Sequence, residues 1–140
     1  MSYDTSNIFA KILRGEIPAH KVYEDEDVLV FLDVMPQAPG HTLVVPKAAS
    51  RNLLDADEAV LAKLLPVVQK VARAVQKAFG ADGVSIFQYN EPAGGQSVFH
   101  LHIHVVPRYE GVPLERHEDK MEDGAVLSAN AEKVRRALEA

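Results

Sequence analysis

The sequence predicts an α+β fold: an antiparallel five-stranded sheet with one long helix and one or two short helices. Five short segments are rich in the β-branched and aromatic residues that favour strands, whereas residues 57–79 repeat apolar side chains at three- and four-residue steps, as an amphipathic helix does. The links between the second and third strands and between the fourth and fifth contain eight residues or fewer. A parallel crossover needs about a dozen residues, so both links favour antiparallel pairing.

The first half of the chain begins with a short helix and continues into three strands. Residues 1–7 are polar, and we expect them to be frayed. Ser6 or Asn7 can cap a helix over residues 8–13, and Gly15 suits the left-handed position that ends it. The three strands predicted after this helix are residues 20–24, 28–32 and 41–46.

The second half begins with the long helix, residues 57–79. Pro66 lies inside this helix, removes one backbone donor and is expected to kink it, and Gly80 ends it. A glycine-rich loop, residues 91–96, separates the two remaining strands. The other predicted elements are strands at residues 84–90 and 98–107 and a C-terminal helix that begins at Ser128 or Asn130 and runs through Leu138.

Composition excludes several classes of function. The 140 residues predict one domain, and the absence of cysteine excludes disulfides, thiolate zinc sites, iron–sulfur clusters and cysteine nucleophiles. Fifteen basic and 20 acidic side chains give a net charge of −5, which disfavours binding of a nucleic acid polymer. No apolar run is long enough to span a membrane, and the charged N-terminus lacks the apolar core of a secretory signal. We therefore expect a cytoplasmic protein with no membrane partner.

Three of the six histidines, His100, His102 and His104, alternate along one predicted strand. Random placement at this composition would produce such a trio with an expectation of about 0.01. Alternate residues of a strand share a face, so we expect the three imidazoles to line one side. The apolar residues between them would then line the opposite side and pack into the core.

The residues themselves leave three interpretations of this trio open. It can be a solvated strand face, or two of the histidines can bind a metal ion, although the strand supplies no carboxylate as a further ligand. The third interpretation uses the preceding loop, residues 94–97, because glycines expose backbone amides that bind phosphate. A neutral imidazole is also a competent nucleophile, so this arrangement suits two-step phosphoryl or nucleotidyl transfer through a covalent histidine intermediate.

The segment His-Leu-His-Ile-His-Val-Val resembles the signature of the histidine triad (HIT) superfamily, in which histidines alternate with apolar residues. The resemblance extends over about residues 6–110, in the segments 8–26, 30–47 and 94–108. The Hint-type and bacterial Hit proteins are the branch that it is most similar to. The resemblance implies one HIT-like domain over residues 1–140 with a C-terminal tail and helix at 111–140.

The same resemblance implies a homodimer with a continuous sheet and a metal-independent hydrolase without a cofactor. The implied substrates are purine nucleoside 5′-phosphoramidates or adenylylated amines, cleaved through a covalent nucleotidyl-histidine intermediate. The ending Val106-Pro107-Arg108 is also similar to the dinucleoside polyphosphate hydrolases. A nucleotide-binding regulatory module with little turnover is a further alternative.

The family's functional residues can be placed on this sequence by position. His102 matches the nucleophile, His104 matches the histidine that contacts the phosphate and the leaving atom, and His100 and His41 match the supporting pair. The implied substrate contacts are Asp33 at the ribose hydroxyls, Asn90 near the phosphate, Gly95, Gln96, Ser97 and Val98 in the loop, and Ile8, Phe9, Ile12, Ile17, Phe31, Val34 and Leu43 as an apolar slot for a purine ring. From the residues alone, the apolar set can equally be ordinary core, and Asp33 can cap a turn.

Many bacterial relatives carry a structural zinc site that this chain lacks. Asn7 and Ala10 stand where those proteins have a Cys-x-x-Cys pair, and Ala49 stands where they have a further histidine. We therefore expect no metal. His20 and His117 match no functional position, and we expect both on the surface.

Overall fold

The structure, a computed structural model, describes residues 2–115 and 120–140. Its strands are β1 (Lys21–Glu24), β2 (Val28–Leu32), β3 (Thr42–Pro46), β4 (Gly83–Phe87) and β5 (Ile103–Arg108), and its helices are α1 (Ile8–Leu13), α2 (Glu58–Ala78) and α3 (Gly124–Glu139). The strands form one sheet in the order β1-β2-β3-β5-β4, and every neighbouring pair is antiparallel. The α+β class and the antiparallel five-stranded sheet are therefore confirmed.

Helix α1 begins and ends where its capping residues predict. The Asn7 side chain accepts a hydrogen bond from the Ala10 amide at 2.9 Å, and Gly15 follows the helix with φ of 78°. A positive φ is readily adopted by glycine because it has no Cβ. Asn7 is thus the residue that caps α1.

The two faces of the sheet pack against different helices. Along β2, Val28, Val30 and Leu32 join a larger cluster with α2 and α3, whereas Leu29 and Phe31 point to the opposite face. This alternation follows from the two-residue period of a strand. The smaller cluster on the α1 face consists of Phe9, Ile12, Leu29, Phe31, Leu43 and Val45.

Strand β5 begins at Ile103, five residues later than the sequence predicted, so His100 and His102 lie outside the sheet ladder. The β3–β5 pairing ends at Val44 opposite Ile103. Pro46 has no N–H and cannot extend the ladder, and the Leu101 amide instead donates to the Ser50 carbonyl at 2.9 Å. The expectation that all three histidines lie within one strand is therefore wrong, although Leu101, Ile103 and Val105 pack into the larger cluster as expected.

Strand β4 also ends earlier than predicted, at Phe87 rather than at residue 90. The side chains of Gln88 and Asn90 hydrogen-bond to each other, and Asn90 accepts from the Leu53 amide at 2.9 Å. Phe87 pairs with His104, which is near the start of β5, so the residues after Phe87 have no neighbouring strand on that side.

The C-terminal helix α3 begins at Gly124, four residues before the first predicted start. The Asp123 side chain accepts from the Ala125 amide at 2.7 Å and caps it. Glycine disfavours helix interiors, but a first-turn position next to a good cap is tolerated. Helix α2 continues through Pro66, and the kink expected there stays a prediction. In the part of the chain that the structure describes, no helix is both long and apolar enough to cross a membrane.

Candidate active site

His100 is buried completely and is held at both ring nitrogens. Its Nε2 lies 2.7 Å from the Pro46 carbonyl, and its Nδ1 lies 2.6 Å from the Tyr3 hydroxyl. A carbonyl only accepts, so Nε2 carries the proton and Nδ1 of the neutral ring accepts from Tyr3. Burial lowers the pKa of His100 below its ordinary value of 6.5.

His102 is oriented by the backbone of His100. The Nδ1 atom of His102 donates to the His100 carbonyl at 2.7 Å, which places the lone pair of the neutral ring on Nε2. The ring also meets Phe9 edge-on, with centroids 4.8 Å apart, and lies 4.9 Å from the His104 ring. A backbone acceptor at Nδ1 and an aromatic wall therefore set the direction of Nε2.

His41 and His104 form a buried pair whose proton positions follow from a backbone amide. The Gln37 amide donates to His41 Nδ1 at 3.1 Å, so a neutral His41 carries its proton on Nε2. That nitrogen lies 2.9 Å from His104 Nδ1 and donates to it. A neutral His104 then carries its own proton on Nε2, where it can act as a hydrogen-bond donor.

Two aromatic side chains, one at the end of β4 and one just after it, lie against His104. The Phe87 ring is stacked on His104 with centroids 4.9 Å apart and planes inclined by 24°, and the Tyr89 ring lies 5.8 Å away. Neither aromatic residue was predicted as part of the site. The sequence gives only one indication of them, which is that Phe87 falls at the end of an apolar strand.

Asp33 lies beside this histidine pair at the end of β2. Its Oδ1 accepts from the Met35 amide at 2.8 Å, so it forms the turn that the sequence allowed, and its Oδ2 lies 3.6 Å from His41 Nε2. The ligand atoms of Asp33, His41 and His104 all lie within 4.8 Å of one another. The structure thus supplies a carboxylate near two histidines, which the strand alone could not, and these three residues could hold a metal ion.

The glycine-rich loop leads along the chain directly into the histidine segment. Gly95 adopts φ of 97°, a left-handed conformation that favours glycine, whereas a Cβ there would make only an ordinary contact of 3.5 Å with the Tyr89 ring. Gln96 is buried and turned into the loop, where it donates to the Val98 carbonyl at 3.0 Å. Ser97 is exposed at the tip, and Val98 packs against the smaller cluster.

The apolar residues assigned to a purine slot do not all come together. Phe9, Ile12, Phe31 and Leu43 form most of the smaller cluster, and Ile17 packs against it. Val34 instead packs against the larger cluster, and Ile8 is 45% exposed on α1. The burial of Phe9, Ile12, Phe31 and Leu43 shows that they are part of the core, which was the other interpretation of this apolar set.

The segment after β5 returns to the loop that carries Asp33. The Glu122 amide donates to the Val34 carbonyl at 2.8 Å, and the Gln37 side chain donates to the Glu115 carbonyl at 2.8 Å. Val34, the acceptor, and Gln37, the donor, both lie between Asp33 and His41 in the sequence. Glu115 and Glu122 therefore each contact the loop between Asp33 and His41.

Other expectations had different outcomes. Residues 1–7 were expected to be frayed. Met1 lies outside the described residues, but the Tyr3 hydroxyl contacts buried His100, and an Asp4–Asn7 backbone bond forms a turn before α1. His20 is only partly exposed, and His117 lies outside the described residues.

Comparisons with known proteins agree with the histidine motif. The family model described as HIT domain matches residues 14–111. The chain is 44% identical over 102 residues to "Protein hit" of Bacillus subtilis, covering 73% of this chain and 70% of that protein. It is 37% identical over 124 residues to adenylylsulfatase HINT3 of Arabidopsis thaliana, covering 84% of this chain and 63% of that protein. It superposes with a TM-score of 0.94 and 52% identity on the crystal structure of a Hit-like protein involved in cell-cycle regulation from Bartonella henselae with unknown ligand, covering 98% of this chain and 99% of that one.

Proposed function

Because the chain belongs to the histidine triad (HIT) family, we propose that it hydrolyses purine nucleoside 5′-phosphoramidates or adenylylated amines through a nucleotide bound covalently to His102. The observation that supports this best is the 2.7 Å hydrogen bond from His102 Nδ1 to the His100 carbonyl. This hydrogen bond selects the tautomer whose Nε2 lone pair can attack phosphorus. The carbonyl oxygen also faces the positive charge that the ring acquires on attack.

The first step forms a bond between His102 Nε2 and the α-phosphorus while the bond from phosphorus to the leaving nitrogen breaks. The phosphoramidate reacts with its nitrogen protonated, so the amine departs neutral and takes the electron pair of the broken bond. His104 Nε2–H donates a hydrogen bond to a phosphate oxygen, or to the leaving nitrogen once the electron pair of the broken bond develops on it. The geometry supporting this role is the Gln37–His41–His104 series of bonds, which places the proton of a neutral His104 on Nε2.

The second step hydrolyses the intermediate. A water oxygen forms a bond to phosphorus, the bond from phosphorus to His102 Nε2 breaks, and the ring regains its electron pair as a neutral imidazole. The proton of the water passes to solvent, and the nucleoside monophosphate leaves. The amides of the loop around Ser97 and Val98 supply further donors to the phosphate oxygens in both steps.

Recognition of the nucleoside falls to residues on the same face of the sheet. We assign Asp33 to the ribose hydroxyls, since a carboxylate accepts from two vicinal hydroxyls and Asp33 lies beside His41. Phe9, Phe31 and the exposed Ile8 are assigned to the purine ring. Asn90 is assigned to the phosphate region, where its amide side chain already bonds Gln88 and the Leu53 amide.

A homodimer with a continuous sheet remains part of this proposal. Strand β4 lies at the edge of the sheet, so one side of its backbone can pair with a second copy. Light scattering after size-exclusion chromatography tests the mass, and a monomer at micromolar concentration contradicts it.

The alternative leaving group is a second nucleotide, as in dinucleoside polyphosphates. This alternative relied on the similarity of the segment that ends at Arg108, whose guanidinium donates to Ser85 at 3.0 Å. That contact lies four residues beyond His104 along β5 and does not involve the histidines. The phosphoramidate is therefore the first substrate to assay.

The test is hydrolysis of adenosine 5′-phosphoramidate in EDTA by the wild type, His102→Ala and His20→Ala. We expect the wild type and His20→Ala to turn over equally, and His102→Ala to be slower by at least about a thousandfold, because a covalent route has no substitute for its nucleophile. Mass spectrometry after an alkaline quench should show one nucleotidyl group on His102. Activity that depends on a metal, or an active His102→Ala variant, contradicts the mechanism.

Parallel assays with adenylyl sulfate and diadenosine polyphosphates identify the leaving group. Adenylyl sulfate is included because one relative is named an adenylylsulfatase. Tight binding of AMP without turnover of any of these substrates would favour the regulatory module.

A further inference from the structure

The glycine-rich loop before the histidines is anchored by residues that neither the motif nor the proposed mechanism uses. Arg51 lies in the turn after β3, and Glu91 begins the loop. The Arg51 guanidinium donates to both carboxylate oxygens of Glu91, from Nε at 2.7 Å and from the terminal nitrogen at 3.0 Å. Bidentate pairing of this kind is stronger and more directional than an ordinary surface ion pair.

Side-chain amides extend this ion pair into a network that is mostly shielded from solvent. Asn52 is fully buried and donates to Glu91 at 2.6 Å and to the Gln96 carbonyl oxygen at 3.1 Å. Gln96 in turn accepts from the Glu91 amide at 2.8 Å and donates to the Arg51 carbonyl at 2.8 Å. The guanidinium carbon of Arg51 also stands 4.3 Å above the centre of the Phe99 ring. Hydrogen bonds from Arg51 and then Asn52 hold the pKa of Glu91 below its ordinary value, so the carboxylate stays charged.

The backbone at Glu91 is strained. Its φ is 66° with ψ of 161°, a region that is adopted almost only by glycine, and Glu91 is the one non-glycine residue with positive φ among the described residues. Such a conformation persists only when its surroundings hold it. The Glu91 carbonyl accepts from the amides of Gly94 and Gln96, at 2.9 and 3.1 Å, so the position of this one residue sets the course of the loop.

We propose that Glu91 and Arg51 are positioning residues, whose ion pair holds the loop at residues 94–98 in the geometry that presents its amides to the phosphate beside His102. This rests on the proposed function, because it assigns the loop to phosphate. The argument is that a strained entry residue, a bidentate ion pair and two buried amides all converge on the segment that leads into the histidines. A loop with no task beyond connecting β4 to β5 has no need of a strained glutamate.

Glu91→Gly separates positioning of the loop from stability of the fold. Glycine adopts the observed φ without strain, and this relief offsets part of the loss of the carboxylate that Arg51 and Asn52 contact, so the global unfolding free energy should change less than the local protection of the loop. We expect exchange of the Gly94 and Gln96 amides with deuterium to become at least about tenfold faster, because both donate to the Glu91 carbonyl. We expect kcat for the phosphoramidate to fall by about ten- to a hundredfold with a smaller change in KM, since a small misplacement of a transition-state donor acts on kcat.

Two further variants complete the test. Glu91→Gln keeps the shape and one good acceptor, so it should recover part of the activity and of the amide protection. Glu132→Gln is the matched control, because Glu132 pairs with Arg135 and Arg136 on the exposed face of α3, remote in sequence from the loop, and it should behave as the wild type in every assay.

The outcomes are distinct from those of the proposed function. A wild type that hydrolyses none of the substrates refutes the proposed function, and the amide exchange then still decides whether Glu91 orders the loop. Unchanged exchange in Glu91→Gly, or faster exchange with wild-type kcat and KM, overturns the positioning role. A loss of activity matched by an equal loss in Glu132→Gln overturns it as well.

Discussion

Replacing Tyr3 by phenylalanine removes one hydroxyl and isolates its hydrogen bond to His100. The aromatic ring remains and keeps its edge-on contact with the imidazole, whose centroid lies 5.6 Å away. What is lost is the donor to His100 Nδ1 at 2.6 Å. The other nitrogen of His100 is committed to the Pro46 carbonyl, so the ring cannot reverse its tautomer without losing that bond.

The expected loss of stability follows from the burial of His100. A buried acceptor left without its donor costs about 1–3 kcal/mol. His100 is 0% exposed, but Tyr3 is only partly buried, so water can reach the vacated position in part. We therefore expect the unfolding free energy to fall by about 1–2 kcal/mol, a factor of about 5–30 in the folding equilibrium.

The assay is urea denaturation followed by circular dichroism at pH 7.5, with Tyr23→Phe as the control. The Tyr23 hydroxyl donates to Asp25 at 2.9 Å, a carboxylate that water can solvate, so its loss should change the unfolding free energy by less than about 0.5 kcal/mol. A long-range proton–nitrogen NMR spectrum of the wild type should show His100 protonated on Nε2. The reasoning is refuted if Tyr3→Phe costs no more than Tyr23→Phe, or if His100 carries its proton on Nδ1.

Three further predictions concern the fold and its response to pH. Gly40→Ala should lower the unfolding free energy by about 2–4 kcal/mol, because φ is 94° and the new Cβ would stand 2.6 Å from Cδ2 of Phe79; a variant as stable as the wild type in urea contradicts this. In NMR titrations, His100 should protonate below its ordinary pKa of 6.5. The unfolded chain then binds that proton first, so this contribution to stability is complete above about pH 6.5 and is lost as the pH falls toward the folded pKa; a His100 that titrates at or above 6.5 would exclude it. Asp123→Ala should cost about 0.5–2 kcal/mol in thermal or urea unfolding, because it removes a side-chain cap, whereas Asp57→Ala at the start of α2, where no side-chain cap bond is present, should cost less.

The elements that were predicted well are those whose signal is local. The Asn7 cap, the glycine that follows α1 and the long apolar stripe of α2 each depend on residues within a few positions of one another. The antiparallel pairing of β2 with β3 and of β4 with β5 followed from link length alone. Such features are decided by backbone geometry and side-chain period, which a single sequence displays directly.

Element ends were predicted less well, because they depend on a neighbouring strand or cap. The apolar alternation through residues 98–107 continues past the point where the ladder stops, and the stop is caused by Pro46 on the adjacent strand. Helix α3 begins at Gly124 because Asp123 caps it, although glycine itself disfavours a helix. In both cases the residue that sets the end of the element, Pro46 or Asp123, is not one of the residues whose apolar pattern predicted the element.

For the candidate site, the sequence by itself determined that the chain has alternating histidines, a glycine-rich loop before them and no cysteine, and hence which chemistry to look for. Only the tertiary structure decided how each imidazole is oriented. Tyr3 lies 97 residues from His100, His41 lies 63 residues from His104, and Arg51 lies 40 residues from Glu91. A hydrogen bond between residues so far apart leaves no periodic trace in the sequence, because it depends on where the sheet and its loops bring two side chains together.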